Sequence, residues 1–406
     1  MRHLILFSCM LMCSVSGPIL SAQNIWDGLA SSSYRAEQDF ESLGHYDADT
    51  IQTALAFELD NLSFFRDNEY SSTLTKGYSL PGLWLQPKLT YTTHRQIRLE
   101  AGFHALIFNG ANKYPCYVYH DIGTWKGSQY QSGAHVLPWF RAQASFRRLT
   151  VVLGDIYGGQ NHKLTEPLWN TETNLSQDPE MGAQLLWDLP HLHADTWVNW
   201  QSYIFKEASH QEAFTVGSTW QIRYNAEDSP VQWFTPVQLV IQHRGGEQDT
   251  TSMGVQTICN ASLGGAVRWM AGQKALRTMD GEVNLLAAYQ QSGHLWPFNT
   301  GMAIHAAAGV HLWEGVEARL GVFRAPRHFV SLYGNPFFGT LSQRDETAYR
   351  GITTAYARIG YCHVFSRHYI LGTEAEAYQS WMPHHQEFNF SFGLYLRVNP
   401  RFIICK

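Results

Sequence analysis

The chain has 406 residues, with 29 Lys and Arg against 34 Asp and Glu and a formal net charge of −5. That balance argues against a nucleic-acid partner, and no P-loop, long basic run or zinc-type Cys/His spacing is present. Charged residues make up only 16% and aromatic residues 14%. Such a surface is too poor in charge for an ordinary soluble protein and rich in rings that favour a membrane–water interface.

The chain opens MRHLILFSCMLMCSVSGPILSAQN. Arg2 and His3 form a short basic region, Leu4 to Leu20 is apolar, and Ser21-Ala22 offers a small-residue cleavage site. Residues 1–22 therefore read as a secretory signal peptide. Residues 23–50 show no clean period and read as a periplasmic N-terminal extension. Residues 51–406 read as one membrane domain. No later stretch reaches about 18 uninterrupted apolar residues, so crossing by helices is not expected.

From there, segments alternate apolar and polar residues. Side chains on a strand point to opposite faces in turn, so each such segment has one apolar and one polar face. The clearest is EFNFSFGLYLRV, in which Phe388, Phe390, Phe392, Leu394, Leu396 and Val398 interleave with Asn389, Ser391, Gly393, Tyr395 and Arg397. Strands are predicted near 52–65, 79–91, 96–109, 134–146, 148–157, 181–189, 192–206, 211–225, 231–244, 260–272, 281–291, 301–312, 315–325, 352–365, 368–381 and 387–398. The fold class is all-β: an antiparallel transmembrane β-barrel of about 16 strands (14–18), with short periplasmic turns and long extracellular loops. The connections support it. Thr92–Arg95, Arg147, Pro190-His191, Trp313-Glu314 and Ser366-Arg367 are short, whereas 110–133, 158–180, 245–259 and 326–351 are long. The location expected is the outer membrane of a Gram-negative bacterium.

Lipid cannot hydrogen-bond or solvate charge. The apolar set must therefore meet lipid, and Arg98, Glu100, Arg141, Asp195, Arg223, Arg268, Glu317, Arg319, Arg358, Glu374, Glu376 and Arg397 must face the lumen. The 158–180 loop follows the fifth strand, where porins of this size fold a loop inward. By that analogy His162, Lys163, Glu166, Glu172, Asp178 and Glu180 form a pore constriction; the alternative is an outward, solvated loop whose acids select nothing. Cys116 and Cys259 are expected on outer loops and Cys362 and Cys405 nearer the inner rim, with disulfide pairing left open.

The runs FFRDNEYSSTLTKGYSLPGLWLQPKLTY at 64–91, IRLEAGFHAL at 97–106 and VLGDIYGGQNHKLTEPLW at 152–169 resemble porin-like outer-membrane barrels of Bacteroidetes. The resemblance implies a barrel with a role in transport or envelope organisation. Many barrels end on an aromatic residue, whereas here Phe402 stands four residues before the last.

The expected function is a channel for passive or facilitated diffusion of small polar solutes. Its partners would be outer-membrane lipid and those solutes, with a homo-oligomer as a further expectation. No cofactor, metal or catalytic residue is expected, and the protein is read as not an enzyme. His363 with Ser366, and His120 with Asp121, have the residue types of a hydrolase without a pattern that joins them, and His384-His385 reads as a solvated turn. The alternative is a plugged barrel that binds an envelope partner, its plug supplied by residues 23–50 through Trp26, Tyr34 and Phe40.

Overall fold

The computed structural model describes residues 53–93, 97–111, 131–204, 207–226, 228–246, 250–252, 254–273, 275–312, 315–366 and 369–405. The signal and extension readings for 1–50, and Cys116, His120 and Asp121, lie outside the described residues.

Seventeen strands follow one another: β1 (Ala54–Ser71), β2 (Lys76–Thr92), β3 (Ile97–Ala111), β4 (Gln131–Ser145), β5 (Leu149–Asp155), β6 (Met181–Leu189), β7 (Leu192–Ser202), β8 (Ala213–Arg223), β9 (Val231–Arg244), β10 (Gln256–Met270), β11 (Leu276–Ser292), β12 (Thr300–Leu312), β13 (Val316–Ala325), β14 (Ile352–Ser366), β15 (Tyr369–Met382), β16 (His385–Val398) and β17 (Arg401–Cys405). Each of the first sixteen pairs antiparallel with its neighbour in sequence. The sheet closes where β1 pairs with β16, from Asn61↔Val398 to Glu69↔Phe390. β17 continues that path along β1, with Phe57 opposite Phe402. Pro400 has no N–H for the ladder, and its carbonyl accepts from Leu59 N at 3.1 Å, so β16 and β17 are one broken strand. The wall is a closed antiparallel barrel of sixteen strands, and closure leaves no sheet edge unpaired in lipid.

The wall is apolar outside and polar inside. In β16, Phe388, Phe390, Phe392, Leu394 and Leu396 are exposed, while Asn389, Ser391, Tyr395 and Arg397 are buried. In β13, Leu320 and Val322 are exposed and Glu317 and Arg319 take the opposite face. Only a surrounding lipid phase makes this arrangement stable. Strand ends differ from the predicted ones where pairing outlasts the apolar alternation. β1 runs to Ser71 rather than 65, and its last outward positions, Asp67 and Glu69, are charged. That stretch stands above the lipid, where the ladder persists but apolar side chains are no longer required. β10 begins at Gln256, which places Cys259 within the strand rather than on a loop; Cys259, Cys362 and Cys405 are free thiols.

Leu320, 65% exposed, tests the orientation. Leu320→Arg puts a charge mid-strand on the lipid face and should cost about 2–4 kcal/mol, measured by urea titration of folding into vesicles. A cost below about 0.5 kcal/mol would place that face away from lipid.

Candidate functional site

Two outer connections fold into the lumen and meet there. The first, 156–180, carries a 3-10 turn at Gly159–His162 and one short helix, α1 (Thr173–Ser176). The turn ends at Lys163 in the left-handed region, φ 54. Gly159 has φ 66, which a glycine adopts at no steric cost, and its N–H donates to Glu180 Oε1 at 2.7 Å. The loop then crosses to the far wall. Thr165 N donates to Gln238 Oε1 at 3.0 Å, and Gln238 Nε2 donates to Lys163 O at 2.9 Å. Leu175 packs under Leu62, Phe64, Leu80, Trp84 and Leu106.

The second connection, 326–351, lies across the remaining outer mouth. Asn260 holds it at two points, with Nδ2 donating to Val330 O at 2.8 Å and Leu332 N donating to Oδ1 at 3.1 Å. Tyr333 Oη shares hydrogen bonds with Thr215 Oγ1 at 2.5 Å and Gln201 Nε2 at 3.0 Å. Phe329, Leu332, Phe337 and Phe338 form a buried apolar core between this loop and the wall. Arg344 Nη1 reaches Ser72 O at 2.7 Å. The loops join where Asn170 N donates to Tyr333 O at 2.6 Å. A polar lumen is thus filled by a plug with its own apolar core.

Ion pairs fix the plug to the wall. Arg66 Nε lies 2.8 Å from Glu172 Oε2, and its terminal nitrogens lie 2.6 Å from Glu374 Oε1 and 2.5 Å from Glu376 Oε2. Tyr78 Oη donates to Glu172 as well. Glu166 is held between Arg358 at 2.9 Å and Arg319 at 3.2 Å. Arg358 also pairs with Glu376 at 2.5 Å, and Arg319 with Asp280 and Glu282. Burial alone would raise the Glu166 carboxyl, but Arg358 and Arg319 hold it below the usual carboxylate range. Removing one partner of such a buried pair typically costs about 3–5 kcal/mol, because the other charge is left uncompensated.

His162 forms a second anchor. Nδ1 lies 2.7 Å from Asp195 Oδ2 and Nε2 lies 3.2 Å from Glu180 Oε2. The ring stacks on Trp197 with centroids 3.5 Å apart. A Cβ at Gly217 would stand 2.1 Å from the Trp197 ring, so only glycine gives that indole its place. Burial would lower the His162 pKa, but Glu180 and Asp195 outweigh it and raise it to about 9.

The predicted loop residues therefore separate. Glu172 is ion-paired to β1 and Glu166 to β13 and β14, with Glu376 joining the two sets by pairing with both Arg66 and Arg358, and His162 and Glu180 meet Asp195. Lys163 is exposed, with its carbonyl bound to Gln238. Asp178 lies 3.9 Å from His135. Of the residues predicted to face the lumen, Arg98, Glu100 and Arg141 form a cluster with Lys88 and Glu58. Arg397 pairs with Asp60 at 2.7 Å. Arg223, Arg268 and Glu317 stand apart from the plug: Arg223 donates to Pro190 O at 2.7 Å, Arg268 lies 5.9 Å from the Phe234 ring centre, and Glu317 lies 3.8 Å from His311. His363 takes the outer face beside Tyr361 and Phe365, an apolar setting for a base.

One set was missed. At the outer rim, His385 Nε2 lies 3.4 Å from Thr73 Oγ1 and 3.2 Å from Glu387 Oε1. Glu387 also accepts from Ser72 Oγ at 2.5 Å and Thr73 N at 2.9 Å. The residues are more than 300 positions apart and meet only because β1 closes on β16, so no local spacing announces them. His384, at φ 74, makes the adjacent turn.

The chain matches the family model described as Lipid A 3'-O-deacylase-type over residues 46–406, and it belongs to that family. No curated protein matches it in sequence. Among solved structures, OccAB4 of Acinetobacter baumannii is 10% identical at a TM-score of 0.44, covering 86% of this chain and 99% of that one. The loop L8 deletion mutant of OmpT, an outer membrane protein of Vibrio cholerae, is 9% identical at 0.49, covering 86% and 100%. OprD of Pseudomonas aeruginosa, an outer membrane protein, is 7% identical at 0.42, covering 88% and 96%. The protein is an outer-membrane β-barrel of sixteen strands. The expectation that it is not an enzyme is corrected by its family, which is one of enzymes. No hydrolase pattern stands out locally in the chain, because Thr73 and His385 come together only at the barrel seam.

The His162 anchor has a pH signature. A raised histidine pKa contributes stability in full below the usual value of about 6.5 and loses it as pH climbs through about 9. Hydrogen exchange in 156–165, corrected for intrinsic rate, should be flat near pH 6 and accelerate as pH climbs toward 9. His162→Gln should abolish that pH dependence.

Proposed function

We propose that the protein hydrolyses an ester-linked acyl chain of a lipid in the outer leaflet, the class its family's description names. Membership over residues 46–406 carries this reading. The filled lumen supports it, because the outer face of a barrel closed by two anchored loops is free to work on lipid without conducting solute.

Two imidazole–carboxylate sets near the loops are closely paired, at 3.2 Å or less. His162 is 1% exposed and has a carboxylate on each nitrogen, which suits an anchor. His385 is 35% exposed, has a hydroxyl beside it, and stands on the rim near the lipid-facing Phe388. We assign the base role to His385. It takes a proton from the water that attacks the ester carbonyl and returns it to the departing alcohol oxygen, so ester and water give alcohol and carboxylic acid. Thr73 and Glu387 both meet Nε2 and orient the ring.

The test is mass spectrometry of lipid A in vesicles holding the folded protein. Loss of one acyl chain is expected, with His385→Asn about 100-fold slower or worse and Glu387→Gln slowed less. An inert wild type would overturn the reading. Full activity in His385→Asn with loss in His162→Gln would move the chemistry to the buried set.

A second reading, diffusion of small polar solutes past a constriction formed by His162, Lys163, Glu166, Glu172, Asp178 and Glu180, is favoured by the polar inner wall. It requires the loop to leave Arg66, Arg319 and Arg358.

A further inference from the structure

The plug does not meet the whole wall alike. Against β7, β9, β13 and β14 the first loop is hydrogen-bonded or ion-paired to the strands. Against β2–β4 a cleft remains between the wall and the first loop, lined by Trp84, Gln86, His104 and Trp139 on one side and by Asn161 and Asn174 on the other.

We propose that this cleft is a binding site for a neutral sugar. Three observations carry the inference. First, the wall side presents two indoles, Trp84 and Trp139, and apolar aromatic surface is what the C–H face of a sugar ring packs on. Trp84 is steadied by the His104 ring, with centroids 6.0 Å apart, and Trp139 by its Nε1 hydrogen bond to Glu100 at 3.0 Å. Second, two amide atoms lining the cleft are buried and have no protein partner: Gln86 Oε1 and Asn174 Nδ2. Gln86 Nε2 meets His104 Nδ1 at 2.9 Å, and Asn174 Oδ1 accepts from Gln160 N at 3.2 Å. Each amide is thus fixed by one end and offers the other, an acceptor from the wall and a donor from the loop. A hydroxyl is both donor and acceptor, and a ring bearing several satisfies both atoms at once. Third, the acidic groups that line the cleft are Asp178 and Glu180, the latter 3.2 Å from His162. Carboxylates repel an anion, whereas the hydroxyls of an uncharged sugar donate to them.

This site is separate from the rim set and does not depend on the esterase reading. The test is isothermal titration of the folded protein in detergent with glucose and maltose, and with gluconate as a charged counterpart of glucose. Saturable binding of a neutral sugar is expected, with Asn174→Ala and Gln86→Leu each weakening it about tenfold, the effect of one hydrogen bond. Asn174 belongs to the loop rather than the wall, so its variant leaves the barrel ladder intact, and heat-modifiable migration verifies folding. Absence of saturable sugar binding, equal binding of gluconate, or affinity unchanged in both variants would overturn the proposal.

Discussion

The structure depends on cancelling charge inside a wall that faces lipid outside. Arg66 shows how. It is 2% exposed and meets three carboxylates, two from the neighbouring wall and one from a loop. A lone buried guanidinium would be prohibitive, and a pair inside protein is stable only when geometry and additional hydrogen bonds are good. Glu374 and Glu376 supply the wall's share, and Glu172 draws the 156–180 loop down to complete the set. Arg319 and Arg358, on β13 and β14, do the same with Glu166.

From that requirement the rest follows in order. A loop pulled to these strands crosses the lumen and brings Leu164, Leu168 and Trp169 with it. Those apolar side chains need cover, which the 326–351 loop supplies with Phe329, Leu332, Phe337 and Phe338. The barrel is a polar-walled container with an apolar plug, the reverse of a globular core. The rim set of Thr73, His385 and Glu387 lies above this plug, at the barrel seam, where chemistry on an outer-leaflet lipid needs no open lumen.

Much of the wall was legible in the sequence because lipid imposes a strict rule. Phe388 to Val398 alternate without exception, and sixteen such runs match the sixteen strands within a few residues. The rule weakens outside the lipid, so the upper end of β1, where Asp67 and Glu69 face outward, was cut short. An inward path for 158–180 was read, beside an outward one, from its place after the fifth strand. Its partners were not, because Glu166 meets Arg319 and Arg358 only through the closed barrel. The 326–351 loop gave no signal of its part in the plug, since PFFGTL looks the same in a surface loop. His384-His385 read as a turn, correctly for His384. The neighbour that matters, Thr73, approaches only when the first and last hairpins meet at the seam.

The most direct test of the filled lumen is single-channel conductance of the purified, folded protein in planar bilayers. The account predicts a silent wild type, and steady conductance steps once Arg66, Arg319 and Arg358 are replaced together by neutral residues that release the loop. Large steady steps from the wild type would contradict it, because two loops anchored as described stand across the lumen.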